Sequence, residues 1–156
     1  MSFPLESDRI ESVLQSNYIG HLACCLDDKP YVVPITYYYD AAQNSLVCYT
    51  AEGHKVDIMR QNPQVCVEVS EVDDLSHWRS VILEGRFEEM TGRDSIDVLQ
   101  ALIRNLEPMI NQEGKQHVER IREMARATET SPKVTYRIHI DHKSGRYEAG
   151  NPKLDI

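Results

Sequence analysis

Residues Leu46–Pro63 read LVCYTAEGHKVDIMRQNP, and the stretch changes character twice. A short apolar run, Leu46–Thr50, has the composition of a strand. Gly53 interrupts it, and His54 and Lys55 open a helical pattern. That pattern ends at Asn62-Pro63, because a residue before proline is pushed out of the α region. Helix starts leave backbone N–H groups unpaired and carry the positive end of the macrodipole. A strand ending in the Thr50 hydroxyl and feeding a helix start with the Lys55 cation can hold a phosphate. On pattern alone, a surface turn with a solvated lysine fits the same residues.

Strand signals lie on both sides. Tyr18–Leu26, the Asp27-Asp28-Lys29 turn and Tyr31–Tyr39 read as a hairpin. Pro34 cannot donate to a ladder, so it belongs on an edge or at a bulge. Val65, Val67 and Val69 alternate with Cys66, Glu68 and Ser70, the period of a half-buried strand. Val81, Leu83, Gly85 and Phe87 alternate with polar neighbours in the same way, and Gly85 marks a bulge or a close backbone approach. Val134, Tyr136, Ile138 and Ile140 supply the last alternating segment.

Three helical segments accompany these strands. Ser7 is placed to cap a helix over Asp8–Gln15 with Ile10, Val13 and Leu14 on one face. Ile96, Leu99, Leu102, Ile103 and Leu106 recur at three- and four-residue steps, predicting a helix over Arg93–Leu106. A second stripe, Val118, Ile121, Met124 and Ala125, predicts another over roughly Gly114–Thr128. Six antiparallel strands with helices gathered on the rim predict a mainly β fold, a closed or nearly closed barrel. One domain over residues 1–150 is expected, with 151–156 as a loosely held tail.

The formal charge of −8 over 156 residues, without a Lys/Arg run, excludes a general nucleic-acid binder. No apolar stretch is long enough to cross a bilayer, and the N-terminus lacks the pattern of a signal peptide. A cytoplasmic protein is therefore expected. Cys24, Cys25, Cys48 and Cys66 fall in apolar runs without a C-x-x-C pair, so they read as small apolar residues. His21, His77, His117, His139 and His142 are scattered, and their spacing predicts no metal site. No G-x-S-x-G, H-E-x-x-H or G-x-G-x-x-G motif occurs.

The whole series, strand–YT–GHK helix–NP–strand–W.SV...G strand, resembles the FMN-binding split-barrel family that includes pyridoxamine 5'-phosphate oxidase. Within it, the likeness is closest to the short flavoproteins grouped with nitroimidazole-resistance proteins. The resemblance runs from about Tyr18 to Arg146 and implies a six-stranded antiparallel split β-barrel of the FMN-binding type. It implies cofactor contacts from Tyr49 and Thr50, and a phosphate ligand in Lys55. His54 matches either a residue beside the flavin or a solvent-facing helix start. Val32, Val33, Pro34, Ile35, Thr36 and Tyr37 occupy the strand that runs along the flavin ring in the family. Trp78, Arg79, Ser80 and Val81 match a segment that reaches the cofactor, sometimes across a dimer; Trp78 also fits a core or interface anchor.

These likenesses imply a homodimeric FMN flavoprotein, an oxidoreductase acting on a small molecule. The closing SGRYE segment, Ser144–Glu148, lacks the Trp that the vitamin B6 oxidases carry there. Their substrate residues are therefore not carried over. A non-catalytic flavin- or haem-binding protein of the same fold is the alternative, with His54, His139 or His142 as axial ligands.

Overall fold

Each alternating segment becomes a long antiparallel strand, and the strands close on themselves. The computed structural model describes residues 1–110, 119 and 133–150. The strands are β1 (Phe3–Pro4), β2 (Ile19–Leu26), β3 (Lys29–Asp40), β4 (Ser45–Ala51), β5 (Gln64–Asp74), β6 (His77–Glu89) and β7 (Lys133–Ala149). The helices are α1 (Ser7–Ser16), α2 (His54–Gln61) and α3 (Gly92–Leu106). Pairing runs β7–β4–β3–β2–β5–β6, and β6 pairs again with β7 to close a six-stranded barrel. The two-residue β1 lies against β7. This is the split-barrel fold with helices at its rim, as expected.

Local chemistry explains the elements. Asp27 and Asp28 take positive φ angles of 52° and 60°, the geometry of a tight primed turn, and join Leu26 to Lys29. Gly85 sits where the β6–β7 register shifts. A Cβ there would lie 2.3 Å from the His139 carbonyl oxygen, so only glycine allows the approach. The barrel interior is packed by Leu22, Tyr37, Leu46, Cys48, Val67, Val69, Val81, Leu83, Tyr136 and Ile138, each fully or almost fully buried.

α1 and α2 close the barrel from opposite ends of β3. Leu14 and Val13 of α1, and Val56 and Met59 of α2, are buried in the same core. The Tyr37 hydroxyl donates to the Leu14 carbonyl oxygen at 2.9 Å. At the other end, the His54 ring stands edge-on to Tyr31 with centroids 4.8 Å apart. α3 covers the outside of the barrel, where Val98, Leu102 and Leu106 pack on Val47 with Tyr38 and Tyr49 beside them.

Several expectations need correction. Ser7 lies inside α1, and the capping position is Glu6, whose side chain makes no cap hydrogen bond. Ile96 is 58% exposed, and Val98 takes its place in the buried stripe of α3. The last strand continues through SGRYE to Ala149, because β6 and β7 stay paired from His77 to Glu89. The predicted helix over Gly114–Thr128 lies outside the described residues, Glu119 aside, as does the tail.

A candidate cofactor site where two strands part

β3 and β4 pair only over Tyr37–Asp40. Below Tyr37, β3 keeps β2 as its neighbour down to Lys29, while β4 follows β7 to Ala51 and turns into α2. The barrel is therefore split between residues 30–35 of β3 and the end of β4. The Tyr37 N–H donates to the Tyr18 carbonyl oxygen at 2.8 Å, which sets the parity of the β2–β3 ladder. Antiparallel hydrogen bonds alternate along a strand, so Val33 and Ile35 bond to β2 while Val32 and Pro34 face the split. Pro34 thus gives up no ladder bond, and the register passes through His21–Pro34 without a shift. Of the two placements expected for Pro34, a bulge is absent on the β2 side. The proline sits instead on the open edge that lines the split.

The same parity sorts the six β3 residues. Ile35 and Tyr37 are buried in the barrel core and Val33 packs against it. Val32 and Pro34 are exposed on the outer face and Thr36 is half-buried. At the split, side-chain surface comes from Val32, Pro34 and Thr36, while the inward residues hold the strand in place. Tyr49 and Thr50, both half-buried, form the opposite bank. The Tyr49 hydroxyl is shut off from solvent and has no hydrogen-bond partner among the described residues. A buried hydroxyl without a partner is costly, and such groups mark a missing ligand or neighbour.

The start of α2 closes the site. No side chain caps it, and Gly53 adopts an extended conformation ahead of the first turn. Lys55 is half-buried with neither an ion pair nor a hydrogen bond among the described residues. Its charge reaches inward: burial and the neighbouring Cys25 push the Cys24 thiol up, and Lys55 partly opposes them. Cys48 is pushed up to about 12 by burial, against a hydrogen bond with Tyr136 and the pull of Lys55. Both thiols stay protonated at neutral pH, so neither is a ready nucleophile. All four cysteines are free.

Arg60, the other cation of α2, is fully engaged. Its Nη1 and Nη2 donate to Glu52 at 2.8 and 2.7 Å, and its Nε and Nη2 donate to Glu89 at 2.9 and 2.7 Å. Asn62 fixes the helix end by donating to the Cys25 carbonyl oxygen at 2.7 Å. Nothing in the residue pattern pointed to Glu52, Arg60 or Glu89, because the pairing joins a loop, a helix and the end of a distant strand. Tyr31 was hidden in a strand whose aromatic residues all looked alike.

Trp78–Val81 does not join this group. Trp78 pairs with Val72 at the far end of β5, whereas Gln64, next to α2, pairs with Arg86. Eight residues of strand separate Trp78 from Arg86, roughly 26 Å at about 3.3 Å per residue. Trp78 and Arg79 line a cleft of about 510 Å³ near α1, with Arg9, His77, Tyr147 and Glu148. Arg79 pairs with Glu71 at 3.4 Å, the Ser80 hydroxyl donates to Glu68 at 3.2 Å, and Val81 is fully buried. Among the described residues, no three His, Cys, Asp or Glu side chains are placed to hold a metal ion.

The sequence pattern of the pyridoxamine 5'-phosphate oxidase family matches residues 6–147. The chain belongs to that family. An uncharacterized protein of Rhizobium meliloti is 37% identical over 86 residues, which span 55% of this chain and 56% of that protein. The match thus spans little more than half the length of that relative. A FAD-binding protein of Mesorhizobium loti shares the fold with a TM-score of 0.68 and 29% identity, over 96% of this chain and 98% of that one. A proposed 5-nitroimidazole antibiotic resistance protein of Bacteroides thetaiotaomicron gives a TM-score of 0.69 at 18% identity, over 94% and 87% of the two chains. The FAD and heme binding protein of Mycobacterium smegmatis gives 0.69 at 17% identity, over 94% and 73%. The last two likenesses concern the fold.

Proposed function

We propose that this chain is an FMN-binding flavoprotein that transfers electrons to or from a small molecule. The observation that carries the reading is the half-buried Lys55, without a partner among the described residues, at an uncapped helix start beside the β3–β4 split. A phosphate there gains backbone donors, a cation and the Thr50 hydroxyl. The ring follows the open edge of β3, whose outward groups at Val32 and Pro34 are unpaired in the β2–β3 ladder. Tyr49 of β4, whose buried hydroxyl has no partner among the described residues, and the exposed His54 of α2 add further polar groups. Bound flavin supplies the redox chemistry; the chain binds, orients and shields it.

The reading includes a homodimer. Trp78 and Arg79 lie at the opposite end of the barrel from Lys55, too far to serve one flavin within a single chain. A second copy packed in the reverse direction brings its Trp78 segment to the first copy's split. Ile19, Val32 and Val72 are 53%, 61% and 68% exposed, apolar surface that such packing would cover. Sedimentation at low concentration with monomer alone would contradict the dimer.

Purification followed by a visible spectrum and addition of FMN tests the cofactor. Bound FMN stabilises the fold in proportion to its concentration over Kd. A colourless protein with no FMN-dependent thermal shift would falsify the reading. FAD is the second candidate, favoured by the 29%-identical FAD-binding neighbour. Mass spectrometry of the released cofactor separates the two. The small-molecule substrate and a cytoplasmic location remain part of the proposal.

A further inference from the structure

Arg60 occupies an unusual position next to the proposed phosphate site. Its guanidinium makes four hydrogen bonds to two carboxylates from separate elements, Glu52 in the β4–α2 turn and Glu89 at the end of β6. Both forks of the guanidinium are used, so Arg60 has no free edge for a phosphate. Glu52 lies between Ala51 and Gly53, within three residues of Lys55. An anion in that place repels a phosphate unless a cation cancels it.

We propose that Arg60 is a positioning residue for the phosphate turn, pinning Glu52 and cancelling its charge so that Thr50–Lys55 accepts a phosphate. The inference rests on the FMN reading above and adds a residue that touches no ligand. Arg60 also holds the Glu89 carboxyl below the usual range through their hydrogen bond. The side chains are about one-third exposed, at 37% for Arg60, 36% for Glu52 and 33% for Glu89. Exposed ion pairs contribute little to folding, so the effect of losing Arg60 falls on the turn and its ligand.

The test compares FMN with riboflavin, which carries the same ring and ribityl chain without the phosphate. Flavin fluorescence quenching on the full chain at low salt gives both affinities. Arg60→Met should weaken FMN about tenfold, the scale of one uncompensated nearby charge, and leave riboflavin within about twofold. The double variant Arg60→Met/Glu52→Gln should return FMN to within about twofold of the parent. Added salt should shrink the difference. Parallel losses of FMN and riboflavin would mean a loosened fold, and unchanged FMN affinity would mean no clamp; either overturns the inference alone. A parent protein with equal affinity for both flavins overturns the phosphate site and the clamp together. Should Arg60→Met fail to fold, Glu52→Gln alone should tighten FMN relative to riboflavin, and no change there rejects the proposal.

Discussion

Where α1 enters the barrel, polar side chains satisfy one another. The Tyr37 hydroxyl donates to Leu14, Tyr39 donates to Glu11 at 2.5 Å, Lys143 reaches Glu11 and Tyr39, and Asn17 bridges Val13 and Glu71. Where α2 enters, Arg60 and Asn62 are satisfied but the helix start is left open. Lys55 has no partner among the described residues, the hydroxyl of Tyr49 on β4 is buried without one among them, and β3 presents an open edge. Native proteins leave few buried polar groups unpaired, so the contrast separates an end that secures the fold from the end at which we propose that a flavin binds.

The contrast is most sharply tested by damage to the α1 end. Leu14 is fully buried, and Leu14→Ala should cost about 2–5 kcal/mol by denaturant unfolding, with flavin affinity measured on the folded fraction unchanged. If it weakens flavin as much as stability, the two ends are not separate. Lys55→Ala should do the opposite, weakening FMN by about 1–3 kcal/mol in a fluorescence titration while the cofactor-free melting temperature stays put. Equal FMN affinity in mutant and parent places the phosphate elsewhere.

A smaller effect is expected from the Glu11–Lys143–Tyr39 group, which is only partly buried. Burial raises the Glu11 carboxyl, but hydrogen bonds from Lys143 and Tyr39 outweigh it and hold the group below its ordinary 4.5. A lowered carboxyl pKa contributes stability above the unfolded value, lost as pH falls through the folded one. Glu11→Gln should therefore cost about 1 kcal/mol at neutral pH and flatten the acid limb of the stability curve below about 4.5. An acid limb identical to the parent's would assign that loss to other carboxylates. The smallest effect belongs to Pro34→Ala, expected to cost less than about 1 kcal/mol because no ladder bond changes. A larger loss by chemical denaturation would show that the proline stiffens the split edge.

Much of the site's outline was readable, for reasons that particular residues make plain. The Thr50 hydroxyl, Gly53 and Lys55 sit within six residues, so local order alone brings them together. Pro34 was legible as an edge residue because proline has no N–H. Arg60 was not legible, since its partners Glu52 and Glu89 come from a turn and from a strand twenty-nine residues later. One edge of the buried face of α3 was misread, because Ile96 and Val98 flank the Leu102–Leu106 stripe on opposite sides and only the strand beneath selects Val98.

The order of strands, the turn at Asp27-Asp28, the glycine at 85 and the end of α2 at Asn62 followed from backbone chemistry that each residue carries with it. The closure of β6 on β7, the four-residue contact between β3 and β4, and the separation of Trp78 from Lys55 did not. They depend on which distant strands pair and in what register, and that is settled only when the whole core packs, because no single segment holds both partners.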